Sequence, residues 1–261
     1  MPGTDWLELG VRWLHVIAGI AWIGTSFYFI RLNAVLAPPE DSADGVAGEA
    51  WEVHGGGFYR VAKYQVAPGR MPRELHWFKW EAYATWLSGA SLLVLVYYVG
   101  ADAFLLDRGV SDIGAGTGIA IGVGSIVAAW VLYELLCRSP LIDRPGAFAA
   151  LGLVLTMAAA WALSQWLSGR AAYMHVGAAI GTIMVANVFF VIIPAHWNMV
   201  RAIESGREPD AARGKAAARR SLHNNYLTLP VVFVMISNHY PMTYSNPLGW
   251  LILGALGLIG G

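Results

Sequence analysis

The sequence predicts an all-α, polytopic transmembrane helical bundle of about seven helices, and three observations predict it. Hydrophobic residues are 57% of the chain and charged residues only 13%, about half the charged share of a soluble domain. Long stretches carry no charge: 13–30, 82–101, 113–133, 145–169, 171–200 and everything after Arg220. Each reaches the roughly 18–20 residues that a bilayer helix requires. Twelve Trp and eleven Tyr suit a chain whose rings sit at membrane interfaces.

These stretches place helices at about 7–36, 74–100, 113–137, 146–168, 171–198, 221–238 and 247–261 of one integral membrane domain, 1–261. His239–Pro247, rich in Asn, Pro and Tyr, reads as the turn between the last two. The seventh helix has only about fifteen residues, short for a span, so the chain is expected to stop inside it. The first apolar run has the length of a mature span and no small-residue cleavage site after it.

Lys and Arg set the orientation. The segments after helices one, three and five hold twelve: Arg60, Lys63, Arg70, Arg73; Arg138, Arg144; Arg201, Arg207, Arg213, Lys215, Arg219 and Arg220. The opposite side holds three, Arg12, Arg108 and Arg170. The N-terminus is therefore expected outside and the odd loops in the cytoplasm. Zero net charge offers no basic surface for nucleic acid. The single cysteine, Cys137, excludes an internal disulfide, a CxxC motif and a covalent CxxCH haem site.

Two connecting segments carry more than a turn. Residues 38–73 contain Trp51-Glu52-Val53-His54-Gly55-Gly56-Gly57-Phe58-Tyr59-Arg60. Three consecutive glycines permit positive φ, either for close backbone approach to a ligand or for a turn before an interfacial segment. Residues 201–220 are basic and rich in Ala, the composition of a cytoplasmic helix or a contact with anionic lipid.

Ionisable residues at membrane depth are costly and so mark candidate sites. His15 and His175 both lie one to two turns into helices that enter from outside, so the sequence expects them to meet. Neutral imidazoles at one depth suit the axial positions of a haem b, with His239 as a reserve ligand. Ala18, Gly19, Ala178 and Ala179 beside them give room for a porphyrin, and equally suit hydrogen-bonded histidines in close helix packing. On the cytoplasmic side, helix two opens His76-Trp77-Phe78-Lys79-Trp80-Glu81-Ala82-Tyr83. His76, Lys79 and Tyr83 are expected on one face, with Glu81 and Trp77 elsewhere. Helix six opens His223-Asn224-Asn225-Tyr226. With His54 and Tyr59 these sets supply donors, a cation and aromatic faces for a small planar anion; interfacial anchoring accounts for the same residue types.

These residues also carry a resemblance. Trp13-Leu14-His15-Val16, Val53-His54-Gly55-Gly56-Gly57-Phe58-Tyr59, His76 to Tyr83, Ala186-Asn187-Val188-Phe189-Phe190 and His223-Asn224-Asn225-Tyr226-Leu227-Thr228-Leu229-Pro230 through Ser237-Asn238-His239-Tyr240-Pro241 resemble the membrane domain of bacterial membrane-bound urate oxidases, from about residue 6 onward. Helix one is also similar to haem-binding membrane oxidases of the HemJ type, which supports His15 as a ligand. The resemblance implies oxidation of urate to 5-hydroxyisourate in purine catabolism at the bacterial inner membrane. Electrons would pass to a cytochrome c, as a C-terminal domain or a separate protein. His76 or His223 would be the base and Lys79 the cation for urate. His54, Asn224 and Asn225 would bind its edges, and Tyr59 or Trp80 would stack on it. The family pattern has no counterpart to His196, which receives no role. An electron-transfer cytochrome subunit and a small-molecule transporter are the alternatives, the last without the paired halves transporters often carry.

The charge asymmetry yields a direct test. In a Cys137→Ser background, a cysteine in the loop after helix five should react with impermeant thiol reagents only once the inner membrane is opened. Labelling in intact cells would reverse the orientation.

Overall fold

A peptide group in hydrocarbon has no water to bond, so uncharged stretches rich in Ala, Leu and Gly satisfy their backbone as helix. The computed structural model describes residues 2–39, 45–68 and 71–260. The first helix, α1, runs Pro2–Val35. After a β-hairpin come α2 (Trp80–Leu92), continued by a π-helical segment (Leu93–Val99), and the short α3 (Ala101–Phe104). Then follow α4 (Ala115–Arg138), a 3₁₀ turn (Pro140–Asp143) and α5 (Pro145–Ser164). One long helix consists of α6 (Gly169–Ala186), a second π-helical segment (Asn187–Ile192) and α7 (Ile193–Glu204); α8 (Ala211–Ser237), α9 (Pro241–Tyr244) and α10 (Gly249–Gly260) complete the chain.

Among the described residues five helical spans are long and apolar enough to cross a membrane: Thr4–Val35, Trp80–Val99, Ala115–Arg138, Pro145–Ser164 and Gly169–Glu204. The expected sixth helix is the second half of α8, which starts at Ala211 because the basic stretch joins it, with Asp210 capping the N–H groups of Ala212 and Arg213. The expected seventh is α10, only 12 residues long. Arg70 and the chain's last residue, Gly261, lie outside the described residues.

The expectation of an all-α chain is corrected by the hairpin. Strands β1 (Val46–His54) and β2 (Gly57–Tyr64) pair antiparallel, with His54 opposite Gly57. Gly55 and Gly56 form the two-residue turn at φ +56° and +81°, the positive pair that a type I′ turn demands. The glycine run is thus used for chain reversal. An isolated two-stranded hairpin is marginal in water. Here it is fastened to the end of α1: Arg31 bonds Glu52 at 2.6 Å, Lys63 bonds Asn33 at 2.7 Å, and Ala37 pairs with Glu49 through the backbone.

Trp77 stacks on Trp197, and Tyr133 bonds His223. These contacts gather the segment before α2, the C-terminal part of α4, the first half of α7 and the middle of α8 at the hairpin end of the bundle. Phe104, Ser168, Gly169 and Tyr244 meet at the opposite end.

The core follows α6. Ala171, Ala172, Tyr173, His175, Val176 and Ile180 are all buried. Small residues let helices approach without a hydrophobic driving force between them. A Cβ on Gly177 would stand 2.8 Å from Val234, and one on Gly122 would collide with the His175 ring. The π-helical segments interrupt two helices that otherwise continue, and such insertions shift the side-chain frame beyond them. The second precedes Pro194, which lacks an N–H and crowds the carbonyl four residues back, so the ladder is already disturbed there.

The Gly122 contact predicts a large difference between neighbours. Gly122→Ala should destabilise the detergent-solubilised protein by about 1–3 kcal/mol through overpacking, measured by thermal melting. Gly124→Ala, with open space around its would-be Cβ, should be neutral or slightly stabilising.

Candidate functional site

The hairpin end carries two polar sets on different faces of the α6–α7 helix. On one face, Ala82, Val185, Val188 and Ile193 pack together with Trp77 and Tyr83. Helix α2 begins at Trp80, six residues later than expected, and Lys79 is its N-cap. His76 and Lys79 therefore precede the helix, and the single face expected for His76, Lys79 and Tyr83 does not form. The cause is Trp77, whose ring lies 4.3 Å from that of Trp197 at 15° and pins the preceding segment across α7.

This strap and α7 enclose a groove of about 280 Å³ lined by Leu75, His76, Trp77, His196, Met199 and Val200 among others. The Lys79 ammonium lies 5.4 Å from the Trp80 ring centre and 6.0 Å from that of Trp197, within cation–π range. Trp80 is exposed and edge-on to Tyr83. Glu81 was expected to point away. Because His76 is not on the helix, Glu81 instead meets it: Oε1 stands 3.6 Å from His76 Nε2. The other oxygen, Oε2, is buried with no hydrogen-bond partner among the described residues.

On the other face is a closed knot. Arg220, only 7% exposed, donates to Glu134 Oε2 at 2.7 Å and to Asn187 Oδ1 at 3.1 Å, and its guanidinium lies 5.1 Å from the Tyr133 ring centre. Asn187 donates to Tyr133 Oη and to Asn224 Oδ1, both at 2.9 Å. Asn224 donates to the Met184 carbonyl at 3.0 Å. The Tyr133 oxygen, which accepts from Asn187, also shares a hydrogen bond with His223 Nδ1, 2.8 Å away. One ring nitrogen of His223 is thereby engaged, and the ring stacks on Phe148. Asn225 is half-buried on the next position of α8.

The expected cytoplasmic pocket thus divides. Lys79 comes together with Trp80 and Trp197, and His76 shares the groove with His196. Asn224 and His223 belong to the knot. His54 and Tyr59 sit at the exposed hairpin tip, and among the described residues no hydrogen bond or ring contact joins them to His76 or Lys79.

The histidines deeper in the bundle are also placed apart. His15 Nδ1–H donates to the Thr85 carbonyl at 2.9 Å and to Ser88 Oγ at 3.1 Å, with its ring against Gly89. His175 is fully buried, and its Nδ1–H donates to the Ala171 carbonyl at 2.8 Å. Both tautomers leave Nε2 as the lone-pair nitrogen, as metal-binding histidines do. In His175, however, that nitrogen accepts from Tyr98 Oη at 3.2 Å and abuts Gly122. The two anchors, Ser88 and Tyr98, are ten residues apart on one helix, on the order of 15 Å. Axial nitrogens on one metal stand only about 4 Å apart at ordinary bond lengths. His15 and His175 in these positions do not fit one haem. The equal-depth expectation fails because α1 begins by Pro2, which sets His15 three and a half turns in. His239 is exposed beyond the end of α8.

The family described as Urate oxidase N-terminal matches residues 3–261. The chain belongs to that family. No curated protein and no solved structure matches it. In this urate oxidase family member, sequence reasoning missed Tyr133, Glu134, Arg220, Glu81 and His196. Glu134 and Arg138, four residues apart on α4, were the available signal for a charge network. Arg220 had been counted only as a loop cation.

The knot predicts a stability effect. Arg220→Met strips a guanidinium from Glu134, Asn187 and Tyr133 together. The loss should be about 3–5 kcal/mol, the usual cost of breaking a buried pair, read as a lower melting temperature. Arg220→Lys should not rescue it, because one ammonium cannot reproduce the planar fork.

Proposed function

We propose that this protein is a membrane-bound oxidoreductase that converts urate to 5-hydroxyisourate, with its substrate site at the groove beside His76 and Lys79. The family match over residues 3–261 carries the substrate and the reaction. Five helices able to cross a bilayer support membrane attachment, and the excess of cations in the odd loops supports a site opening to the cytoplasm of a bacterial inner membrane.

Urate is a planar monoanion at neutral pH, and a buried charge without a partner is expensive. Lys79 suits it: no carboxylate lies within ion-pair distance of Lys79 among the described residues, and its ammonium rests only on indole faces. Arg220 is fully engaged within the knot and is not available. Trp80, with its exposed ring, is the stacking surface. His54, Tyr59 and Asn225 would reach substrate only at the rim, and Asn224 acts by holding the frame.

The reaction adds water and removes two electrons and two protons: urate plus water gives 5-hydroxyisourate, with a new C–O bond at C5. His76 takes a proton as the electrons leave. His223 is the weaker choice, since its Nδ1 is already bonded to Tyr133 and its ring is stacked on Phe148. The electrons go singly to an external acceptor of the cytochrome c class. No step is routed through a haem on His15 and His175, whose positions do not support one. That same placement disfavours the passive b-type cytochrome.

Lys79→Met should weaken urate affinity at least tenfold while expression and melting temperature stay near wild type. His76→Ala should lose turnover by about 10²-fold or more with little change in affinity. Equilibrium dialysis with labelled urate, and urate loss with a soluble one-electron acceptor, make both measurements. Normal affinity in Lys79→Met would reduce that lysine to an interfacial anchor.

A further inference from the structure

Several carboxylates at the hairpin end are paired with guanidinium groups. Glu52 has Arg31, Glu49 has Arg60, Asp143 has Arg219, and Glu134 has both Arg138 and Arg220. Glu81 stands apart. Its only ionisable neighbour within 4 Å among the described residues is His76, and its second oxygen is buried without a partner. A carboxylate with an unused, desolvated acceptor is unfavourable as it stands. It becomes favourable when a cation forms beside it.

We propose that Glu81 is the positioning residue of a His76–Glu81 dyad: it orients the His76 imidazole and stabilises the imidazolium that forms when His76 takes a proton from the substrate. The proposal rests on the reading of His76 as the base. In the resting arrangement the 3.6 Å separation is too long for a hydrogen bond. Protonation gives His76 a proton on both ring nitrogens. The Nε2–H then closes onto the carboxylate, and a small rotation brings the unused Oε2 into the contact. No net charge is created inside the pair, since the positive imidazolium faces an existing negative carboxylate. The logic is that of an acid group holding a catalytic histidine without itself being protonated. The location also makes sense of the late start of α2. Were the helix to begin at residue 74, His76 and Glu81 would be five positions apart and on different faces. The Trp77–Trp197 stack holds His76 off the helix and swings it over the first turn, where Glu81 projects.

The competing account is that Glu81 serves only the helix, as a first-turn acidic residue favourably placed at the N-terminal dipole. That role would be worth some stability and nothing in turnover. The two accounts separate in the full-length protein in detergent or nanodiscs, assayed for urate turnover, urate affinity and melting temperature. Glu81→Gln is expected to lower kcat by about tenfold or more while urate Kd stays within about twofold. The double variant His76→Ala/Glu81→Gln should be no slower than His76→Ala alone, because members of one catalytic unit are not additive. Glu81→Asp should recover part of the lost rate. If Gln at 81 prevents folding, Glu81→Asp still reports: reduced kcat with intact affinity supports the dyad. Wild-type kcat in Glu81→Gln, with His76→Ala inactive, overturns the dyad and leaves the base reading standing. Multiplying effects in the double variant overturn it too. Full turnover in His76→Ala removes the base reading and the dyad with it.

Discussion

A guanidinium buried among apolar helices is tolerable only when every strong donor finds an acceptor, and Arg220 imposes that requirement on the hairpin end of this protein. Its partners come from two other helices, Glu134 of α4 and Asn187 of the π-helical segment after α6. Asn187 in turn fixes Asn224, one helical turn beyond Arg220 on α8. Three helices are thereby locked in register by groups that cannot slide without stranding a charge. Apolar packing alone would not give this specificity, because lipid tails satisfy Leu and Val as well as a neighbouring helix does.

The lock determines what the opposite face of the α6–α7 helix presents. Asn187 faces the knot, so Val188 and Ile193 face α2, and Trp197 is carried to where Trp77 can stack on it. The groove is thus built on a rigid back wall and a strap with few fixed points. That division suits a site that must admit a planar ligand. Residues doing structural work are saturated with hydrogen bonds, while Lys79, His76 and Glu81 keep unused bonding capacity.

Much of the bundle was legible because its cause is composition. Helices placed on uncharged runs bounded by single charges match α4 to within two residues, α5 to within four, and α1 and the long α6–α7 helix to within about six. The hairpin was not legible as strand, since its exposed aromatic residues read as interfacial anchors and its glycines as a ligand loop. The start of α2 was missed for a tertiary reason: one indole stack overrides the local helical signal of 74–79. The candidate cytoplasmic residues all fall at the hairpin end, but the structure does not gather them into one pocket. His76 and Lys79 lie on the same strap before α2, whereas His223 and Asn224 are hydrogen-bonded within the knot. Depth along a helix placed His15 and His175 together only because α1 was begun five residues late.

The π-helical segment at Asn187–Ile192 has a consequence for how this chain tolerates change. An α-helix advances about 100° per residue, and a π insertion resets that phase. The knot reads the frame before the segment and the groove reads the frame after it. Loss of a single residue there would restore a regular ladder and turn His196 and Trp197 away from the strap while leaving Asn187 seated. The segment is therefore a gear between two halves that share one helix. Substitutions in either half can accumulate separately, but insertions and deletions between them cannot.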